Sequence, residues 1–156
     1  AGKLESGGAY TSVGTYDVNE LVALVVALSE RTNVPVETLI HSFGKYLAIT
    51  FSTNFKSFFD ECNELFSFFK SIHDHIHVEV RKLYPEAELP DFSYEQVNDN
   101  SMKLHYTSSR HFSNLALGLI EGVAEYFKQP ISVKTEDHST DDTLEKVTFF
   151  ITKCAK

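Results

Sequence analysis

Asp91-Phe92-Ser93-Tyr94-Glu95-Gln96-Val97-Asn98-Asp99-Asn100-Ser101-Met102-Lys103-Leu104-His105-Tyr106 is the stretch in which the chain leaves helical periodicity. Asp91 to Val97 and Met102 to Tyr106 read as two strands, and Asn98-Asp99-Asn100 supplies the residues a tight turn favours. Upstream the pattern is helical. Asp17 can cap a helix with Glu20 at the third position, a capping-box-like start. That helix runs to about Arg31, with Leu21, Leu24, Val25 and Leu28 as its apolar stripe. Asn33-Val34-Pro35 ends it, and Pro35 suits the start of a second helix, Glu37 to about Ala48, with Leu39, Ile40, Phe43 and Leu47 inward. Phe55, Phe58, Phe59, Cys62, Leu65, Phe66 and Phe69 recur at helical spacing and predict a third helix within 51–69. Ile72 to Leu83 reads as a fourth, with Ile72, Ile76, Val80 and Leu83 on one face, and Pro85 and Pro90 bracket its exit. Downstream, His111 to Phe127 returns to helical period through Phe112, Leu115, Leu119, Ile120 and Val123 until Pro130 stops it. Ile131 to Thr135 and Val147 to Thr152 read as two more strands joined by a polar, acidic loop. The expected class is α+β: N-terminal helices, then a small antiparallel sheet packed with one long helix.

The 156 residues suit a single domain spanning 1–156, with the Gly-, Ser- and Thr-rich segment 1–16 as loop or tail. That length buries a core without covalent staples. A formal charge of −8 argues against nucleic-acid partners and against anionic membrane surfaces. No apolar window reaches the length of a membrane span, since Leu21 to Leu28 is short and flanked by Glu20 and Glu30. No signal-peptide pattern is read. Two cysteines, Cys62 and Cys154, are too few for a disulfide framework and match no zinc spacing, so a reducing, cytoplasmic setting is the simplest reading.

Two groups of residues can carry chemistry. Ser71-Ile72-His73-Asp74-His75-Ile76-His77-Val78-Glu79-Val80 holds three histidines. His73 and His77 are four apart and share a helix face, as a metal site would need, but no Cys or carboxylate completes a tetrahedral set. On an unbroken helical wheel His73 lies nearer the apolar face and His77 at its edge. The second group is Tyr106-Thr107-Ser108-Ser109-Arg110. If extended, it puts Tyr106, Ser108 and Arg110 on one face, because strand side chains alternate. A phenol, a hydroxyl and a guanidinium form a donor comb suited to carboxylates or phosphate. Polar side chains on a hairpin edge facing water fit the same pattern. No nucleophile–base pair or Gly-rich phosphate loop stands out, so the chain is not read as an enzyme.

Taken together, His77 with Glu79-Val80-Arg81-Lys82-Leu83-Tyr84-Pro85 and Leu89-Pro90, the Tyr106-x-Ser108-x-Arg110 triad, and Gly118-Leu119-Ile120-Glu121-Gly122 resemble the haem–nitric oxide/oxygen binding (H-NOX) family. The resemblance runs from about Tyr10 to the end. The family's further N-terminal helices, which cover the distal haem face, have no counterpart in these residues. The resemblance implies haem b (iron protoporphyrin IX) as cofactor and His77 as the ligand of its iron, against the wheel's mild preference for His73. It implies that Tyr106, Ser108 and Arg110 hold the haem propionates and that Pro90 packs on the porphyrin and helps distort it. Two carboxylates partly removed from water need a paired cation and hydroxyl donors, so the comb acquires a target.

Distal polarity decides between gases. Family members that hold oxygen place a tyrosine where this chain has Leu115. Their polar partner on the earlier helix matches Leu47, and the next turn offers Phe51. None of these side chains donates a hydrogen bond, although Tyr46, beside Leu47, carries a hydroxyl. The resemblance therefore implies a nitric oxide sensor, with carbon monoxide as a secondary ligand. Nitric oxide would weaken the iron–His77 bond and release the helix that carries it. The signal would pass to a histidine kinase or a cyclic-di-GMP enzyme. Two rival readings are a non-haem metal-binding or hydrolytic domain using His73 and His77, and a non-haem interaction module whose phenylalanine stripe is only core. Some relatives carry a Cys/His zinc cluster near the C-terminus; here only His138 and Cys154 lie in that region, so no structural zinc is expected.

Overall fold

The computed structural model describes residues 4–11 and 14–155. Helices α1 (Val18–Thr32) and α2 (Val36–Asn54) come first, then the short α3 (Lys56–Asp60). Helix α4 (Leu65–Ser71) runs through a π-helical turn (Ile72–Ile76) into α5 (His77–Leu83). Strands β1 (Asp91–Asn98) and β2 (Ser101–Ser108) follow, then α6 (Ser113–Tyr126), β3 (Ile131–Asp137) and β4 (Glu145–Lys153). The strands make one antiparallel sheet in the order β1-β2-β4-β3. This is the expected α+β plan.

The sheet has one dry face and one wet face, as alternation dictates. Met102, Leu104 and Tyr106 of β2 and Val147, Phe149 and Ile151 of β4 are buried, and they share one core with Leu65, Phe66 and Phe69 of α4 and with Ala116, Ile120 and Val123 of α6. On the other face Lys103 reaches Glu95 at 3.2 Å and His105 meets the Thr148 hydroxyl at 2.9 Å. Helix α6 has no capping side chain of its own. Its first N–H and the Ser113 hydroxyl both donate to the Glu145 carboxylate at 2.9 Å, so β4 supplies the cap.

Several expectations need correction. Asp17 does cap α1, accepting the Asn19 N–H at 2.7 Å, but Glu20 closes no capping box. Its buried carboxylate accepts the Ser6 N–H at 2.7 Å, the Ser6 hydroxyl at 2.6 Å and the Tyr10 hydroxyl at 3.0 Å, which ties the leading segment to α1. That segment, expected as loop or tail over 1–16, has neither helix nor strand where described; residues 1–3, 12 and 13 lie outside the described residues. Leu24 and Leu28, expected inward, are 41% and 47% exposed, because no described element covers that side of α1. Helix α2 continues past Ala48 to Asn54, and its most tightly packed face is Gly44 and Ala48 rather than the half-buried Leu39, Ile40, Phe43 and Leu47. The third helix is broken. Its first residues belong to α2, and the chain turns at Cys62-Asn63-Glu64, where Glu64 accepts the Ser67 N–H at 3.0 Å and starts α4 afresh.

Candidate functional site

The site is built around the π turn. A helix that absorbs one extra residue delays everything after it by one residue's rotation, about 100°. His77 closes the turn by donating its N–H to the Ile72 carbonyl, so it takes the angular slot that an unbroken helix would give Ile76. The edge position read from the wheel thereby becomes an inward one. Leu83, expected inward, is 59% exposed at the end of α5.

The His77 ring centroid lies 5.8 Å from that of Phe92 on β1, and Phe92 lies 5.6 Å from Tyr106 on β2. His77 Nδ1 is buried with no hydrogen-bond partner. Burial pushes the imidazole pKa down to about 4, helped by the charges of Arg81 and His73; the Pro90 carbonyl and Asp91 oppose this weakly. The ring is therefore neutral at ordinary pH, with a lone pair to give. His73 also has a buried, unpartnered Nδ1, but its side chain is 43% exposed and lies 4.0 Å from Asp91. It lines a cleft of about 230 Å³ with Phe69, Phe92 and Tyr94, which His77 does not line. Among the described residues no group of three or more His, Cys, Asp or Glu side chains gathers as a metal site, so His73 and His77 bring no third ligand with them. His138 stands 3.7 Å from Glu136, and Cys154 is exposed.

The donor comb is only partly a strand. Strand β2 stops at Ser108, and Arg110 stands in the bend beyond it, before His111 with its left-handed φ of 54°. Tyr106 is 2% exposed and its Oη accepts the Phe112 N–H at 3.1 Å. Burial raises its pKa, and Ser108 and the Phe112 N–H pull it partly back. Ser108 Oγ accepts the Arg110 N–H at 3.0 Å. Backbone N–H groups thus occupy an acceptor position on both oxygens and leave the hydroxyls to donate. The Arg110 guanidinium contacts Glu88 at 2.5 Å. Pro90 is half-buried directly before β1.

The remaining site residues lie on the α2–α6 pair. Leu115 is half-buried on α6, and its carbonyl would be 2.3 Å from a Cβ at position 44 of α2. Leu47 is half-buried, and Phe51 is 38% exposed with its ring 6.0 Å from Phe55. Tyr46 is 64% exposed.

The haem-NO-binding family profile matches residues 2–135. The chain belongs to the H-NOX family of haem-based gas sensors. Solved H-NOX structures match almost its whole length. The Fe(II) unliganded H-NOX protein from K. algicida is 34% identical with a TM-score of 0.91, over 99% of this chain and 83% of that one. The H-NOX protein from S. oneidensis in the Fe(II)NO ligation state is 29% identical with a TM-score of 0.86, over 94% and 81%. The IWP-051-bound H-NOX from Shewanella woodyi in the Fe(II)CO ligation state is 43% identical with a TM-score of 0.80, over 97% and 79%. No curated protein matches the chain.

The residues of this H-NOX chain fit a haem. It offers a half-buried, neutral imidazole with an unpartnered, buried Nδ1, linked through the Phe92 ring to Tyr106, and a guanidinium and two hydroxyls able to donate to carboxylates. Sequence reasoning missed Phe92, which bridges His77 to Tyr106, and Glu88, which meets Arg110. The alternation of β1 put Phe92 on the inner face and could have found it; an exposed loop glutamate carries no such mark.

The depressed pKa of His77 has a measurable consequence. The unfolded chain protonates this histidine near its ordinary value of about 6.5, the folded chain near 4. As pH falls between those values the unfolded state binds more protons, so stability falls, by at most about 1.4 kcal/mol per pH unit from this group. Carboxylates such as Glu64, which burial would raise but Lys153 brings down, act only at lower pH. Denaturant midpoints of the haem-free chain should drop from pH 6.5 to 5, and His77→Leu should flatten that slope. An equal slope in both proteins would assign the loss to other groups.

Proposed function

We propose that residues 1–156 form one sensor domain that binds haem b and reports nitric oxide to a partner protein, without catalysing a reaction. The observation that carries this reading is His77: a half-buried, neutral imidazole with a buried, orphaned Nδ1, placed by a π turn against Phe92, which in turn meets Tyr106 of the comb. In this reading His77 gives its lone pair to the iron, Tyr106, Ser108 and Arg110 donate to the propionates, and Pro90 packs on the porphyrin. A bound haem would supply an iron able to take a diatomic gas.

The chain's own residues select the gas. Leu115, Leu47 and Phe51 carry no hydrogen-bond donor, so dioxygen gains nothing from them, whereas nitric oxide, and secondarily carbon monoxide, need no such help. Helix α5 passes any displacement of His77 to the loop 84–90, and with it to a partner surface. A histidine kinase or a cyclic-di-GMP enzyme in the cytoplasm is the partner this reading expects. No helix among the described residues is long and apolar enough to cross a membrane.

The test is an absorption spectrum of the reduced protein. Nitric oxide and carbon monoxide should each shift the Soret band, and air should not give a stable oxygen spectrum. Leu115→Tyr places a phenol on α6 and should add oxygen binding. A stable oxygen spectrum in the wild type, or a colourless protein from a haem-replete host, would refute the proposal.

A further inference from the structure

Arg110 is held by a carboxylate of the chain itself. Glu88 Oε2 lies 2.5 Å from Arg110 Nη2, and Glu88 is 65% exposed on the loop between α5 and β1. This loop leaves the helix of His77 and arrives at Pro90, so the ion pair fastens the exit of that helix to the bend after β2. A propionate is the same functional group as the Glu88 side chain, and it seeks the same guanidinium. Tyr106 and Ser108 beside it already have backbone N–H groups on their oxygens and keep their own protons to give. Of the three donors in the comb, Arg110 alone is taken by an acid of the chain.

On the reading that Arg110 receives a haem propionate, we infer that Glu88 competes for it and governs how fast haem is loaded. The propionate displaces Glu88 from Arg110 Nη2, and the released carboxylate returns to water, where it was already mostly exposed. Glu88 therefore slows haem arrival and does nothing to hold haem once it is bound.

The experiment mixes free haem with the haem-free full chain and follows the Soret band in a stopped-flow instrument. Glu88→Gln keeps the shape and removes the charge. It should speed association by about two- to fivefold, the range an exposed ion pair can supply. High salt should narrow the gap, because both contacts are screened. Haem loss, followed by transfer to a haem-free acceptor globin, should be unchanged. In an Arg110→Gln background the same Glu88→Gln change should no longer alter association. Equal association rates in wild type and Glu88→Gln would overturn the inference. So would faster haem loss, which would make Glu88 a support of bound haem, or an undiminished effect in the Arg110→Gln background. Failure of the wild type itself to take up haem would remove the underlying site reading, a result distinct from equal rates.

Discussion

Replacing His77 with alanine is expected to cost more than about a hundredfold in haem affinity, because loss of a partner merely supporting a ligand already costs about 10- to 100-fold. Purified His77→Ala should come out largely free of haem, and added imidazole should restore binding by filling the space the side chain leaves. The buried, unpartnered Nδ1 and the neutral ring argue for this residue, as does its inward position after the π turn. His73→Ala is the decisive companion. His73 is 43% exposed and lies on the opposite side of the turn's phase shift, so its loss should leave the Soret absorbance near wild type. If His73→Ala lost the haem and His77→Ala kept it, the assignment would be wrong and the wheel's preference for His73 right.

Gly118→Ala is expected to be the most damaging small substitution in the helical layer. A Cβ at 118 would stand 2.1 Å from the His41 carbonyl oxygen and 3.0 Å from the Gly44 Cα, and a Cβ at 44 would stand 2.3 Å from the Leu115 carbonyl oxygen. These neighbours are backbone, so no side chain can swing aside and α2 and α6 must move apart. Overpacking of this kind costs about 3 kcal/mol or more, and the gain in helix propensity returns about 1 kcal/mol. The net loss of about 2 kcal/mol should lower Tm by about 4–8 °C in a domain of this size. The His41–Glu121 contact at 2.8 Å and the Lys45–Glu125 contact at 2.6 Å, which brace the same pair of helices, would be stretched in the process. A Gly118→Ala protein as stable as wild type would show that the two helices are not held this closely.

The sheet was legible in the sequence because a strand's period of two is a local signal. Asp91 to Tyr106 alternates, its turn residues are polar, and the strands appear where the pattern puts them, extended by a few residues. Helix α1 was legible at both ends for a similar reason: Asp17 accepts an N–H within its own first turn, and Asn33 adopts the left-handed φ of 57° that its residue type tolerates. The run of phenylalanines misled. Phe58, Phe59, Leu65 and Phe66 keep helical spacing across Cys62-Asn63-Glu64, so periodicity alone saw one helix where Glu64 starts a new one.

The amino-acid order by itself determined the α+β class, the strand pair, the family, and the two short motifs from which a haem site can be assembled. The class and the strand pair follow because period, turn chemistry and capping act between residues a few positions apart, and the family follows from the resemblance carried by the His77 stretch and Tyr106-x-Ser108-x-Arg110. Tertiary structure decided which histidine turns inward, since the π turn sits where α4 and the turn itself pack against β1, and the spacing of the residues that form it reads as an unbroken helix. Contacts across the fold likewise decided that Glu20 anchors Ser6 and Tyr10, that Glu145 caps α6, and that Glu88 meets Arg110. Each of these joins a carboxylate to a donor brought near it only when the chain closes on itself, and pattern within either segment cannot announce the other.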